Sequence, residues 1–180
     1  MAKKPAKSKS EKKPSDEAQP VSSTAQAAAA PSLSLLTQYI SDLSFENPDA
    51  PESIITGSGA PQISISINNQ VKKREAEDDS YIVELSLNAK AERDGKVLFN
   101  VELVYCGVFK IQNVPENQLP PFLMIECPRL LFPFARQILA QVTQSGGFPP
   151  IMMEPVDFAA IYRQNIEAMA AQQGNADKPN

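Results

Sequence analysis

The chain has 180 residues, 42% of them hydrophobic and 21% charged, with a formal net charge of −4; that length suits one domain plus a tail. It has no histidine, no tryptophan, two cysteines and seven glycines, which excludes Ser-His-Asp and Cys-His catalysis and every histidine-bearing metal site. A disulfide framework or zinc site is disfavoured as well, and no phosphate loop or dinucleotide fingerprint is present. Cys106 and Cys127 are expected to be reduced core thiols, with no cofactor and no metal. No apolar run reaches the length of a transmembrane helix, so no direct membrane insertion is expected.

Residues 1–31 differ in composition from the rest. Lys3, Lys4, Lys7, Lys9, Lys12 and Lys13 outnumber three acids, and Val21 is the one large aliphatic residue after Met1. Such a segment buries too little apolar surface to offset its ordering entropy and reads as a disordered extension. Its net charge of +3 leaves −7 for residues 32–180. An acidic body disfavours nucleic acid as a ligand and favours a basic partner surface.

From residue 33 the pattern alternates with period two. Leu33, Leu35, Tyr39, Leu43 and Phe45 are expected on one side of a first strand, with Ser34, Gln38, Asp42, Ser44 and Glu46 on the other. Ile63, Ile65, Ile67 and Val71 mark a second strand, Tyr81 to Ala89 a third and Val97 to Tyr105 a fourth. Four strands with one apolar face each predict an antiparallel sheet covered on one side. Asp94-Gly95 is a two-residue hairpin signal between the last two strands, and the acidic cluster at 75–80 is a longer turn. Residues 47–61, with three prolines and two glycines, read as a crossover loop carrying an unusual apolar pair, Ile54 and Ile55.

After Ile111 the period becomes helical. Asn117 is a candidate N-cap with Pro120 and Pro121 in the first turn, and Pro128 and Pro133 are expected to break or kink the helical segment. The main helix extends to about Gln144 and ends at Gly146-Gly147. Within it Leu130, Leu131, Phe132, Phe134, Ala135, Ile138, Leu139 and Val142 cover roughly 200° of the circumference, about twice the stripe that one buried face requires. The surplus predicts a second covering surface, most simply another copy of the chain. A last helix is expected from about Val156 to Gln172, with Asp157 favourably placed at its positive end; residues 173–180 read as a flexible tail.

Several separated motifs occur in one order. They are Asp42-Leu43-Ser44-Phe45-Glu46-Asn47-Pro48-Asp49-Ala50-Pro51, Gly107-Val108-Phe109, Cys127-Pro128 through Leu131-Phe132-Pro133-Phe134-Ala135-Arg136, and Gly147-Phe148-Pro149-Pro150 through Pro155-Val156-Asp157-Phe158. In these the chain resembles SecB, the bacterial protein-export chaperone family, over roughly residues 33 to 172. The resemblance implies an α+β fold: a four-stranded antiparallel sheet with two helices packed on one face, over a domain spanning 32–172, assembled as a homotetramer (a dimer of dimers). It also implies a cytoplasmic chaperone, not an enzyme, that keeps unfolded secretory precursors translocation-competent and delivers them to the SecA motor ATPase.

Carried over by position, Asp42, Glu46 and Glu102 match acidic SecA-binding positions, and the strand alternation independently turns all three away from the apolar side. Ile54, Ile55, Phe148, Ile151, Met152 and Met153 match the client-peptide groove. Methionine suits such a role because its flexible, polarizable side chain adapts to many apolar segments. Leu130, Leu131, Phe134, Ile138, Leu139 and Val142 match the oligomer interface, in agreement with the wide apolar arc. The Lys-rich extension departs from the family pattern. Two alternatives stand beside export: a SecB-like chaperone of a toxin–antitoxin pair, and a carrier of a small apolar ligand. An enzyme would have to rely on carboxylates such as Glu126 or Glu154, which form no catalytic pairing in the sequence.

Overall fold

A computed structural model describes residues 30–56, 59–75 and 79–176, with side chains to 170. The Lys-rich extension, part of the 75–80 turn and the last four residues lie outside the described residues. Strands β1 (Ser32–Glu46), β2 (Gln62–Lys73), β3 (Ser80–Arg93) and β4 (Lys96–Gln112) form one antiparallel sheet in the order β1-β4-β3-β2. Because β1 and β2 are joined by the crossover segment, they occupy opposite edges. That segment contains a single helical turn, α1 (Glu52–Ile55), at the place expected to be plain loop.

The predicted hairpin is present: Asp94 and Gly95 have φ of 51° and 74°, the left-handed pair that a two-residue turn requires. On β3 the residues Val83, Leu85, Leu87, Ala89 and Ala91 are buried on the helix side, matched on β4 by Phe99, Val101, Leu103 and Phe109. The first strand departs from simple alternation. Register shifts between Leu35 and Thr37 and between Ile40 and Asp42 leave Leu36 and Ser41 as inserted residues. Each bulge reverses the parity of the residues after it. Gln38 and Ile40 therefore face the helices, and Tyr39, expected on the apolar side, lies on the outer side opposite Cys106. After the second bulge the expected alternation resumes at Asp42.

The helical half begins later and less simply than the prolines suggest. Asn117 caps nothing; Pro115 O already accepts the amides of Gln118 and Leu119 before the short turn α2 (Leu119–Pro121), and Pro120 and Pro121 have no amide to cap. A π turn, Phe122–Glu126, then leads into the long helix α3 (Cys127–Ser145). Pro128 cannot donate to the carbonyl four residues back, Met124 O. The side chain of Asn69, buried on β2, supplies the missing donor: its Nδ2 is 3.0 Å from Met124 O. Pro133 does not break α3, because it lies on the exposed side, where water can satisfy the carbonyl that it leaves free.

Helix α3 packs Leu131, Ala135 and Leu139 onto the sheet, all three fully buried. Gly107 makes the approach possible: a Cβ there would collide with Leu131 and with the Phe109 ring. The helix ends in a Schellman arrangement. Phe148 N–H donates to Thr143 O at 3.2 Å and Gly147 N–H to Gln144 O at 3.1 Å, with Gly147 at φ 88°. The last helix, α4 (Phe158–Ala176), starts two residues later than expected and continues past Gln172. Asp157 is its N-cap, accepting the amides of Ala159 and Ala160 at 3.0 Å each. The helix lies against the π turn, anchored by Phe158, which meets Phe132 edge-on. No helix among the described residues is long and apolar enough to cross a membrane.

Candidate functional site

Two segments distant in sequence meet at the C-terminal end of α3. In α1, Ile54 packs directly over Gly147; a Cβ at Gly147 would lie 3.0 Å from Ile54 Cδ1. The next residue, Phe148, packs against Phe99 at a centroid distance of 4.7 Å with the rings tilted by 49°, and Phe99 in turn stacks on Phe45 at 5.8 Å. A floor of three aromatic rings thus connects β1, β4 and the loop after α3. Over it stand Ile54, 47% exposed, and Ile55, 76% exposed. Ile55, with most of its surface open, adds little to the stability of the single chain.

The loop after Phe148 is rigidly held. Thr143, fully buried, accepts the Ile151 amide on Oγ1 at 3.1 Å, and Arg136 Nη1 donates to Met153 O at 3.0 Å. Extended backbone alternates its side chains, so these two anchors turn Ile151 and Met153 inward, leaving them 6% and 8% exposed, and turn Met152 outward at 70%. Of the six groove residues expected from sequence, the structure brings Ile54, Ile55, Phe148 and Met152 to an accessible surface. Ile151 and Met153 are core residues beneath it.

Phe45, half-buried beside Phe148, was not singled out from sequence as part of this accessible surface. Neither were Ile63 and Ile65, which face the helix side of β2 yet stay 45% and 41% exposed beside an unpaired strand edge. The signal lay in the second strand: two isoleucines in core phase on a strand that no helix covers at that end.

The acidic positions gather on the other side of the sheet. Ser44 pairs with Glu102, Glu46 with Asn100 and Asp42 with Val104, so Glu102 lies one same-side step from both Asp42 and Glu46 on the outer side, and those two lie two steps apart. All three are exposed. Asn88 and Asn100 donate to Glu102 Oε1 at 3.2 and 3.3 Å, holding its carboxylate over the outer face of the sheet. Close by, Cys106 is buried and desolvation raises its pKa; burial likewise raises that of Tyr39. Burial pushes the Cys127 thiol up to about 12, aided by the charge of Glu126. Neither sulfur is a nucleophile at neutral pH. Among the described residues, no cluster of side chains could hold a metal ion.

The helix α3 carries two apolar surfaces. Leu131 and Leu139, expected at an oligomer interface, are completely buried against the sheet and cannot reach another copy. Leu130 and Phe134 are 45% exposed, and Ile138 and Val142 are half-buried. These four line the outward stripe. Between its end and β1 runs an apolar groove of about 450 Å³ lined by Ile40, Leu43, Phe45, Ile138, Val142 and Gly146.

Residues 26–169 match the family model described as preprotein translocase subunit SecB. Among curated proteins, the protein-export protein SecB of Afipia carboxidovorans is 54% identical over 157 residues, covering 87% of this chain and 96% of that protein. Its counterpart from a Bradyrhizobium strain is 52% identical, with 86% and 94% covered, and that of Maricaulis maris 52%, with 81% and 83%. Among solved structures, a SecB-like chaperone of Mycobacterium tuberculosis, in complex with a ChAD peptide from an antitoxin, shares the fold. Its TM-score is 0.55 at 12% identity, over 69% of this chain and 87% of that one. With the family model spanning most of the chain and relatives above half identity, this chain belongs to the SecB protein-export family.

Proposed function

We propose that this chain is a cytoplasmic export chaperone that binds unfolded secretory precursors at the surface formed by Ile54, Ile55, Phe148 and Met152. The observation carrying this reading is the exposed aliphatic and methionine wall above the Phe45–Phe99–Phe148 floor, in a member of the protein-export family. Such a wall recognises apolar character without specifying a sequence. The open edge of β2, with Ile63 and Ile65 beside it, adds main-chain donors and acceptors for an extended client. A compact native protein offers neither partner, which explains selectivity for unfolded chains. No bond-making step is part of this function.

Delivery to SecA is assigned to Asp42, Glu46 and Glu102, an acidic patch on the opposite side of the sheet from the client surface. This separation lets both partners bind at once. The homotetramer, a dimer of dimers, is supported by unpartnered apolar surface on two adjoining elements: the outer stripe of α3, and the edge strand β1 with Leu35, Leu36, Ile40 and Leu43 exposed. A dimer of dimers needs two distinct self-contacts, and the strand edge and the helix stripe can each supply one. The relatives above half identity are protein-export proteins, whereas the antitoxin-bound structure is similar in fold alone; export is therefore preferred to toxin–antitoxin service. A small-ligand carrier is disfavoured because Leu85, Leu87, Leu103, Leu131, Leu139 and Phe158 fill the space between sheet and helix.

Two variants test the assignment. Joint replacement of Ile55 and Met152 by serine should weaken binding of an unfolded precursor about tenfold or more, the cost of one or two lost apolar burials, and leave SecA affinity intact. Changing Asp42, Glu46 and Glu102 to lysine should have the reverse effect. Unchanged client affinity in the first variant would contradict the client surface; unchanged SecA affinity in the second would remove the acidic patch.

A further inference from the structure

The turn α1 is held in an unusual way. One helical turn is far below the length at which a helix is stable by itself, and apolar burial secures α1 only in part, since Ile54 is 47% exposed and Ile55 76%. Its remaining anchors are polar and come from other elements. From the end of β3, beside the Asp94-Gly95 hairpin, Arg93 Nη2 donates to Thr56 O at 2.8 Å and to Ser53 O at 3.3 Å. From the end of β1, Asn47 Oδ1 accepts the Ser53 hydroxyl at 2.8 Å.

The chemistry suits the position. The last carbonyls of a helix have no partner within it and carry the negative end of its dipole, so a guanidinium there supplies both hydrogen bonds and opposite charge. The Nη2 amino group carries two hydrogens and so can serve two carbonyls at once. The Ile54 contact over Gly147 fixes α1 from below, and at φ 88° that position is strained for any side chain. Arg93 thus sets how far α1 stands from Phe148.

We propose that Arg93 is a positioning residue for client binding: it never touches the client but holds Ile54 and Ile55 in place as one wall of the groove. This rests on the client surface proposed above. Loss of the guanidinium frees α1 to move off its seat, so each bound client must first order the wall again. The expected signature is faster client dissociation with little change in folding.

The experiment uses the full chain with Arg93→Ala, Arg93→Lys and Ile54→Ser, and reduced, carboxymethylated α-lactalbumin as a permanently unfolded probe. Arg93→Ala should raise the dissociation constant about tenfold, typical of losing bonds from a charged donor. Arg93→Lys should recover part of the loss, because an ammonium can still reach Thr56 O. Amide exchange at Ile54, Ile55 and Thr56, whose N–H groups bond to Pro51 and Glu52 carbonyls, should accelerate in Arg93→Ala while Val101 and Leu103 keep their protection. A merely structural role would accelerate both sets. Wild-type affinity in Arg93→Ala together with weakened binding in Ile54→Ser would overturn the role of Arg93 and leave the client surface standing. Wild-type affinity in both would overturn the two together.

Discussion

The inner and outer stripes of α3 are both apolar, yet Leu131, Ala135 and Leu139 are fully buried against the sheet whereas Leu130 and Phe134 keep 45% of their surface exposed. The same kind of side chain, a third of a turn apart, does two different jobs. The inner stripe closes the single-chain core. The outer stripe adds to that core only through the flanks of Ile138 and Val142, and the exposure of Leu130 and Phe134 has a physical reason if another surface covers them. Hydrophobicity by itself therefore says how many surfaces a helix must meet; the sheet, through the room Gly107 leaves for Leu131, decides which stripe is used for folding.

Four variants or conditions sharpen this contrast, in order of their expected effect on folding. Leu139→Ala should cost about 2–5 kcal/mol, as for other buried leucines whose removal leaves a cavity, read by chemical denaturation. Thr143→Val preserves shape but leaves the buried Ile151 amide without its acceptor, for about 1–3 kcal/mol; loss of order in the loop carrying Met152 should accompany it. The third is a pH effect at the start of the inner stripe. An unfolded thiol ionises near 8.5, whereas burial holds Cys127 neutral up to about 12. Between those values the unfolded chain has released a proton that the folded chain keeps, so stability falls as pH rises, by at most about 1.4 kcal/mol per pH unit per thiol. Below about pH 8 the thiol contributes no pH dependence. Denaturation midpoints across this range, compared with those of Cys127→Ala, isolate the effect.

The fourth, Phe134→Ser on the outer stripe, should leave the helical circular dichroism of the chain unchanged and move its sedimentation to smaller species. If Phe134→Ser unfolds the chain as Leu139→Ala does, or leaves its mass unaltered, the two stripes are not divided between folding and assembly.

Most of the fold was legible because the sheet has one dry side, and period-two alternation reports that directly on β3 and β4. The family motifs added the order of the elements. Legibility failed where geometry is set by something remote in sequence or silent in composition. The bulges at Leu36 and Ser41 reverse parity twice without any turn residue to announce them, so Tyr39 and Gln38 exchange sides. The expected break at Pro128 is absorbed by a π turn and by Asn69, whose side chain satisfies Met124 O from 55 residues away. The accessible apolar surface was partly legible: Ile54, Ile55, Phe148 and Met152 all reach it. Ile151 and Met153 carry the same chemistry but are turned inward by Thr143 and Arg136, contacts that no local pattern reveals. Arg93 was invisible for a related reason, since its partners are backbone carbonyls of α1, which any sequence possesses.

The chaperone assignment itself is tested most directly by the refolding of a secretory precursor diluted from denaturant with increasing amounts of this protein. Folding should slow in proportion to the protein added, up to stoichiometric amounts, and the Ile55→Ser, Met152→Ser double variant should slow it much less. An unchanged folding rate at stoichiometric excess of the wild-type chain would contradict the assignment.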